Sequence, residues 1–405
     1  MGKDTKAMNS HTFFDCHLHL MNLKSISYTP LVQSVLSAPL NAVTSGFLSP
    51  VYLTQNESSL KNNIANALVC FESPISDTIE NLYNDLCGAL DSNVAFINKD
   101  NKFVFRGREY DAYALIPLCI DFSTKENTSS YYKQKYNDLI TPFAIETIEE
   151  INKFKTEHPD AILEFYPFLG INPLVHSKEK IKSLLEEFCS PNKKDRFYGI
   201  KLYPPLNSDP WPIHDKDEWE KTEIIYNFAE EHSLPITTHC DNQGFRVTSP
   251  KEAWKFTNPE SWKYVISSHK NLRLNFAHFG RFYANDSQII DRVTSQIMQR
   301  PSLGHNKWTE TIISYIQTYD NVYTDISFSF LDKAFVKSIA SIMLNKTPIS
   351  EKLKTRIMFG TDFAISLLKT SSYSKYLSDF ESSIFTNDAV EAMTGENVKR
   401  FMFGE

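Results

Sequence analysis

Short runs of apolar and β-branched residues recur along the chain, and amphipathic stretches separate them. Eight runs predict strands: Phe13–Leu20, Asp111–Asp121, Ala161–Ile171, Tyr198–Tyr203, Leu234–Cys240, Leu272–Phe279, Asn321–Ile326 and Arg356–Asp362. Seven stretches predict helices: Glu146–Glu157, Lys178–Phe188, Trp219–His232, Pro259–Lys270, Trp308–Tyr319, Asp332–Leu344 and Asp388–Phe401. Nearly continuous apolar strands are typical of a parallel sheet that helices cover. Eight of them alternating with helices favour an α/β fold of the (β/α)8 TIM-barrel type over an open sheet.

A long insertion at residues 21–110 interrupts the alternation between the first two strands, where an ordinary connection has only a few residues. Leu60–Val69 and Asp77–Leu90 are predicted helices, and Val94–Ile97 and Phe103–Phe105 flank a typical hairpin turn, Asn98-Lys99-Asp100-Asn101. Because it follows the carboxyl end of strand one, we predict a mostly helical cap over the barrel mouth, with a peripheral subdomain as the alternative. The whole chain, 1–405, is predicted to be one barrel domain.

Composition narrows the functional class. The net charge is −7 and the short basic runs are isolated, which disfavours a nucleic-acid partner. The six cysteines are scattered with no C-x-x-C pair, which argues against a thiolate zinc site and suits a reducing cytoplasm. We find neither a secretory signal pattern nor a run of about 18–20 apolar residues, so a cytoplasmic protein with no membrane partner is expected.

The first strand carries the motif Asp15-Cys16-His17-Leu18-His19. Strand alternation would place His17 and His19 on one face together with Asp15, and Cys16 and Leu18 on the other. Two imidazoles so spaced can converge on one metal ion. An H-x-H pair is common, however, and by itself indicates only two polar residues at a strand end.

Three further polar residues strengthen the metal-site prediction. His239, His278 and Asp362 each close an apolar strand, at strands five, six and eight. Barrel enzymes keep their chemistry at the carboxyl ends of their strands. Any one buried histidine can be a core residue, but the set of five points to a divalent metal ion with an open position for water.

In this respect the chain resembles the amidohydrolase superfamily and, within it, the amidohydrolase-related branch of metal-dependent hydrolases. The resemblance lies in five ordered segments: residues 14–19, 199–204, 238–240, 276–280 and 359–363. It implies a barrel with zinc or a similar ion at its mouth. His17, His19 and His239 would be ligands, and His278 a ligand or a group that polarises the substrate. Asp362 would bind the metal or its water and act as general base.

Lys201 on strand four has two interpretations. In some members of the superfamily a strand-four lysine is carbamylated and bridges two metal ions. Alternatively, its ammonium orients a substrate carboxylate or pairs with Asp362. One Zn²⁺ is favoured over two ions, because five ligands suffice for one site, and Mn²⁺ or Fe²⁺ would also suit the donors.

Residues just beyond the strand ends are candidates for substrate binding: Tyr203, Trp211 and His214 after strand four, Arg246 after strand five and Arg281 after strand six. An arginine fork there suits a carboxylate or phosphate. Each arginine could instead be a surface residue or pair with Asp241. His176 and Asp325 are secondary candidates.

The sequence predicts a hydrolase that uses metal-activated water to cleave an amide, ester or lactone bond of a small molecule, with Asp362, His278 and Lys201 as catalytic residues. A metal-dependent non-oxidative decarboxylase of the same superfamily is the alternative. A third interpretation is a non-catalytic barrel. We expect a small-molecule substrate, which can bear a carboxylate. The sequence leaves open whether the protein forms a homo-oligomer. The chain contains no nucleotide-binding, dinucleotide-binding or serine-hydrolase motif.

Overall fold

The computed structural model describes residues 11–25, 67, 69–91, 93–123, 138–246, 248, 250–281 and 307–404. Its strands are β1 (Thr12–Leu18), β2 (Phe103–Phe105), β3 (Arg108–Tyr110), β4 (Ala112–Pro117), β5 (Leu163–Phe165), β6 (Phe168–Gly170), β7 (Gly199–Leu202), β8 (Ile236–Thr238), β9 (Leu274–Phe276), β10 (Val322–Asp325) and β11 (Ile357–Met358). Each of the eight predicted strands is present, and the third is divided into β5 and β6 at Tyr166-Pro167.

The helices are α1 (Ile75–Leu86), α2 (Ile140–Glu157), α3 (Lys178–Phe188), α4 (Lys216–Glu231), α5 (Pro250–Thr257), α6 (Lys263–Ser268), α7 (Lys307–Thr318), α8 (Lys333–Leu344), α9 (Pro348–Lys354), α10 (Tyr373–Glu381), α11 (Asn387–Glu391) and α12 (Asn397–Phe403). A π-helical turn, Ala392–Glu396, joins α11 to α12. Among the described residues, no helix is long and apolar enough to cross a membrane.

All barrel strands pair in parallel. One sheet has the order β1-β4-β5, and the other runs β6-β7-β8-β9-β10-β11. Leu118 bridges to Phe168 and so links β4 to β6, while the Cys16 N–H donates to the Phe359 carbonyl at 3.0 Å and links β1 to the segment after β11. The predicted α/β fold of the (β/α)8 type is confirmed by this strand order and by the comparisons reported below.

The buried apolar side chains among the described residues form two clusters. The smaller cluster contains Phe14, Ala114, Phe168 and Met358 from the barrel strands, and α12 closes it with Phe401. The larger cluster lies between the strands and the helices and includes most of the remaining buried aromatic residues. Burial of this apolar surface is the dominant favourable term in folding, and it gives the strand ends a rigid base.

The described part of the insertion packs beside β1. Strands β2 and β3 form an antiparallel hairpin. The turn predicted at Asn98–Asn101 lies before β2 and is present: the Asn98 N–H donates to the Lys102 carbonyl at 3.0 Å, and Ile97 forms an isolated antiparallel bridge to Phe103. Phe103 packs against Phe13 and Tyr113 with tilted rings, at centroid distances of 4.7 and 4.4 Å. Residues 26–66, 68 and 92 of the insertion lie outside the described residues, and with them most of the predicted helix Leu60–Val69. The cap therefore stays a prediction.

Candidate metal centre

The two histidines of the β1 motif lie at the strand's carboxyl end and are almost fully buried. His17 Nδ1 lies 3.2 Å from Asp325 Oδ2, and His19 Nδ1 lies 2.7 Å from the Leu118 carbonyl oxygen. A histidine whose Nδ1 hydrogen donates to a carboxylate or carbonyl presents Nε2 as a bare nitrogen. Both rings therefore offer Nε2 to an ion. Burial lowers the pKa of His17 to about 3, although Asp325 opposes that shift, so the ring is neutral near pH 7.

The pairing register between β1 and β4 shifts between Asp15 and Leu18. Such an irregularity changes the alternation of side chains along a strand. Asp15 accordingly contacts Thr361 and Tyr373, whereas His17 contacts Asp325. The sequence predicts that Asp15 and His17 share one face of β1, and their different contacts do not match that prediction.

Asp362 lies where the Nε2 atoms of the two β1 histidines meet. Its Oδ1 is 3.2 Å from His19 Nε2 and 3.4 Å from His17 Nε2. Burial alone would raise the pKa of Asp362, but the neighbouring imidazoles of His19, His278 and His17 outweigh it and lower the pKa to about 2. The carboxylate is ionised at neutral pH. Its backbone has φ 57°, an uncommon value for a non-glycine residue that marks many functional sites.

His278 approaches the same group from β9. Its ring centroid is 4.8 Å from that of His17, and its Nδ1 lies 3.1 Å from the Ser327 carbonyl oxygen and 3.0 Å from Ser327 Oγ. Its backbone N–H donates to Asp325 Oδ1 at 3.0 Å. Asp325 therefore orients both His17 and His278. Burial would raise the pKa of Asp325, but His17 and His278 hold it well below its usual range.

His239 belongs to a second, overlapping group. Its ring is 5.0 Å from His278, but its Nε2 lies 3.0 Å from Asp241 Oδ1 and 3.2 Å from the Gln243 carbonyl oxygen. Burial lowers the pKa of His239. Gly244 permits this packing, since a Cβ there would lie 2.9 Å from His239 Nε2 and 2.5 Å from Tyr203 Oη. His239 as a metal ligand stays a prediction.

The donor set fits a divalent metal ion. Nitrogen or oxygen ligands about 2.1 Å from one ion lie about 3.0–3.4 Å from one another, which matches the two separations between Asp362 and the β1 histidines. The ligand atoms of His17, His278 and Asp362 lie within 4.8 Å of one another, as do those of His239, Asp241 and His278. His17 Nε2 is buried without a hydrogen-bond partner among the described residues. A bound ion would satisfy that atom.

Lys201 lies inside the barrel on β7 and is 1% exposed. Within the described part of the chain, its Nζ has no hydrogen-bond partner. Burial lowers the pKa of Lys201 to about 8, while Asp325, Asp362 and Asp241 oppose the shift. A buried ammonium without a partner is costly, so this position favours an incoming anion or a modification that removes the charge. Both interpretations of Lys201 stay predictions.

A cavity of about 40 Å³ opens beside the donor groups. Its polar lining includes His19, His239, Asp241, His278 and Asp362, and its apolar and aromatic lining is formed by Ile120, Tyr203, Phe245, Phe328 and Ile365. The Tyr203 hydroxyl accepts a hydrogen bond from the Phe245 N–H at 2.8 Å, which fixes one aromatic wall.

Of the five residues predicted to bind substrate, Tyr203 lines the cavity. Arg246 Nη1 lies 3.4 Å from the Asn242 carbonyl oxygen, and Arg281 is buried and pairs with Asp332. Trp211 packs against Trp219, with ring centroids 4.3 Å apart, and His214 is exposed. These last four are not among the described residues that line the cavity. The structure therefore groups the predicted ligands more closely than the predicted substrate residues.

The residues that hold the proposed ligands are harder to recognise from the sequence than the ligands themselves. From the sequence, Asp325 is only a secondary candidate, Asp241 is considered only as an arginine partner, and Ser327 is not singled out. Asp241 and Ser327 each lie two residues beyond a polar strand end. That spacing was the available signal.

A search of curated proteins finds no match. The chain is similar to the structure of 5-carboxyvanillate decarboxylase from Novosphingobium aromaticivorans, complexed with manganese and 4-hydroxy-3-methoxy-5-nitrobenzoic acid, with a TM-score of 0.50, 11% identity and coverage of 97% of this chain and 96% of that one. At this identity the likeness shows the fold.

Two further structures are similar over most of the chain. One is a dihydroxybenzoic acid decarboxylase from Polaromonas sp. JS666 with bound manganese and 2-nitroresorcinol, at TM-score 0.47, 10% identity and coverage of 98% and 97%. The other is a probable 2-pyrone-4,6-dicarboxylic acid hydrolase from Acinetobacter baumannii with citric acid bound, at TM-score 0.44, 11% identity and coverage of 97% and 99%. The amidohydrolase family model matches residues 14–402, from the first barrel strand to the last helix. The chain therefore belongs to the amidohydrolase family.

Proposed function

We propose that this protein is a metal-dependent carboxy-lyase, which releases carbon dioxide from a small aromatic or otherwise conjugated carboxylic acid. The observation that carries the proposal is the cavity lining, which combines metal-type donors with the rings of Tyr203, Phe245 and Phe328. Aromatic walls suit a flat ring, and a few polar groups then fix its orientation. Decarboxylation is also the reaction named for the Novosphingobium protein, and we adopt it here as the reaction type.

The ion would be held by His17 and His19 through Nε2 and by Asp362 through Oδ1, with His278 and His239 completing the donor set. When bound, it would supply positive charge that holds and polarises the oxygen atoms of the substrate. Imidazole and carboxylate ligands together suit zinc, iron and manganese. Zn²⁺ is the ion predicted from the sequence, while the Novosphingobium structure contains manganese. Reconstitution with each ion belongs to the test.

The chain's own residues would do the rest of the chemistry. Ile120 and Phe245 would exclude water from the substrate carboxylate, which favours its departure as neutral carbon dioxide. The carbon–carboxylate bond breaks, and its electron pair stays on the ring carbon. That carbon must then gain a proton. We assign the donor role to Lys201, a buried cation with a pKa of about 8, which would have to regain its proton before the next turnover.

Hydrolysis is the second candidate, and the ionised state of Asp362 favours it. Asp362 is ionised and lies next to the two imidazoles that would hold the ion, so its position allows it to accept a proton from water there. In that case the substrate would be an amide, ester or lactone, and Asp362 would later deliver the proton to the leaving group.

The decisive experiment separates the two reactions. Metal-free protein would be reloaded with Mn²⁺ or Zn²⁺ and offered a panel of conjugated acids carrying ¹³C in the carboxyl group, beside a panel of esters, lactones and anilides. We expect metal-dependent release of labelled carbon dioxide. Metal-dependent hydrolysis with no labelled carbon dioxide would replace the lyase proposal with the hydrolase.

A pair of histidine variants controls this experiment. His19→Ala removes a proposed ligand and should abolish the metal-dependent activity. His232→Ala removes a partly buried histidine at the end of α4, which packs against Phe228 and lies outside the site. It should retain parent activity. Equal activity in the two variants would show that the chemistry takes place elsewhere.

A further inference from the structure

Asp15 is a fully buried carboxylate that the proposed chemistry does not use. Its Oδ1 accepts the backbone N–H groups of His17 at 3.1 Å and Thr361 at 3.0 Å. Its Oδ2 accepts the hydroxyls of Thr361 at 2.6 Å and Tyr373 at 2.8 Å. A carboxylate offers about four acceptor positions, so these four donors occupy it fully. Asp15 is therefore not a metal ligand in this arrangement.

These contacts lie at the seam between β1 and the segment after β11. The Cys16 N–H donates across the seam to the Phe359 carbonyl at 3.0 Å, and the Asp362 N–H donates to the His17 carbonyl at 2.7 Å. Gly360 allows the two segments to approach, because a Cβ there would lie 2.7 Å from that of His17. Asp15 adds one oxygen atom that binds a backbone N–H from each side.

The seam carries two of the proposed ligands. His17 lies two residues after Asp15, and Asp362 follows Thr361 directly. Asp15 Oδ1 thus holds the backbone N–H of one ligand, His17, and that of Thr361, the residue directly before the other ligand, Asp362. The separation of 3.4 Å between His17 Nε2 and Asp362 Oδ1 depends on how the two segments are aligned.

We infer that Asp15 is a positioning residue for the metal centre: its Oδ1 clamps the backbones of His17 and Thr361 together and so sets the spacing of the ligands His17 and Asp362. The inference rests on the metal centre proposed above, and it is independent of the reaction catalysed there. Partners that orient ligands typically change metal affinity by about 10- to 100-fold when they are removed.

The test measures the dissociation constant of Mn²⁺ by calorimetry, with the free energy of unfolding of each metal-free variant measured in parallel. Asp15→Ala removes the clamp and should weaken Mn²⁺ binding at least tenfold. Asp15→Ser, whose shorter side chain cannot reach both backbone groups in the same way, replaces it if the alanine variant does not fold. Asp15→Asn keeps an oxygen for both N–H groups and should restore the affinity to within about threefold of the parent.

Tyr373→Phe is the matched control, because it removes a donor to Oδ2 and leaves the clamp intact. Tyr373→Phe should lower the free energy of unfolding and leave the dissociation constant of Mn²⁺ at the parent value. An unchanged dissociation constant in Asp15→Ala or Asp15→Ser would overturn the inference, and so would a loss in Asp15→Asn as large as in Asp15→Ala. A loss of affinity in Tyr373→Phe in proportion to its lost stability would show a merely structural role. Absence of Mn²⁺ binding by the parent would instead remove the metal centre itself.

Discussion

The imidazoles of the candidate site differ in which ring nitrogen the protein engages. His17, His19 and His278 direct Nδ1 to Asp325, to Leu118 and to Ser327, which leaves Nε2 for an ion. His239 directs Nε2 to Asp241. The first arrangement is typical of metal ligands, since the contact made by one nitrogen sets the tautomer of the other. His239 would have to exchange its contact with Asp241 for the ion.

Asp362→Asn separates catalysis from metal binding. The variant should fold and keep most of its metal, because the histidine ligands remain. Its turnover should fall by about 100- to 10,000-fold if Asp362 is the general base of a hydrolase. Metal content by elemental analysis and initial rates with the reloaded protein check this. Activity near that of the parent would show that Asp362 is structural.

Lys201→Met should stabilise the metal-free protein at neutral pH. The pKa of Lys201 falls from its ordinary 10.5 to about 8 in the folded state, so the unfolded chain binds this proton more tightly between those pH values. The resulting penalty on the folded state is complete below pH 8 and disappears as the pH rises through 10.5. A shift of this size corresponds to about 3 kcal/mol, and we expect a gain of about 1–3 kcal/mol at pH 7 together with loss of activity.

Denaturant unfolding of the parent and the variant at pH 7 and near pH 10.5 measures this difference, which should shrink at the higher pH. Lys346→Met, at an exposed lysine, is the control and should change stability at neither pH. A Lys201→Met variant that is no more stable than the parent at pH 7 would show that the ammonium has a compensating partner in solution.

At the scale of elements, periodicity predicted which segments are strands and helices better than it predicted their ends. Lys178–Phe188 matches α3 at both ends, because Ser177 caps its first turn by accepting the Lys180 N–H. The third strand is interrupted at Pro167, which lacks the N–H that a sheet interior requires. The last strand has only two residues, Ile357 and Met358, and the segment after it bonds to β1 through the Phe359 carbonyl and the Asp362 N–H.

The hairpin β2–β3 offers a test of where the insertion packs. Arg106 Nε donates to the Glu381 carbonyl at 2.7 Å, and its guanidinium also donates to the carbonyls of Ser383 and Phe385 at 2.8 and 2.6 Å. Hydrogen bonds of charged groups contribute about 1.5–3 kcal/mol each. Arg106→Ala should therefore lower the free energy of unfolding by at least about 1.5 kcal/mol and leave metal content unchanged.

Arg108→Ala in the same hairpin is the control. Its partner is Glu391 and its side chain is half exposed, so the loss should stay within about 1 kcal/mol. Thermal and denaturant unfolding measure both variants. An Arg106→Ala variant that keeps its stability but changes metal content or substrate selectivity would place the hairpin's role at the barrel mouth, as a cap requires.

At the scale of the molecule, the sequence predicts that the proposed ligands lie close together, because the carboxyl ends of all barrel strands meet at one face. They could not show that His239 contacts Asp241, because that contact depends on the turn at Gly244. Nor could they locate the aromatic walls. Phe245 and Phe328 lie in loops whose course is set by packing between elements distant in sequence, which periodicity does not encode.

The metal ion should couple the stability of the whole barrel to metal concentration. His17, His278 and Asp362 come from the first, sixth and eighth barrel strands, so an ion bound by all three links segments that lie far apart in the chain. An ion that binds only the folded state stabilises it by about 2.7 kcal/mol at a free concentration 100 times its dissociation constant. We expect about one ion per chain by elemental analysis, and a melting temperature that rises with Mn²⁺ or Zn²⁺ and falls on chelation.

The double variant His17→Ala/His19→Ala should lose both the ion and this dependence, while His232→Ala keeps them. Two ions per chain, with the mass of a carbamate at Lys201, would favour the bridged centre. An unchanged metal content in the double variant would show that the ion is bound at another place.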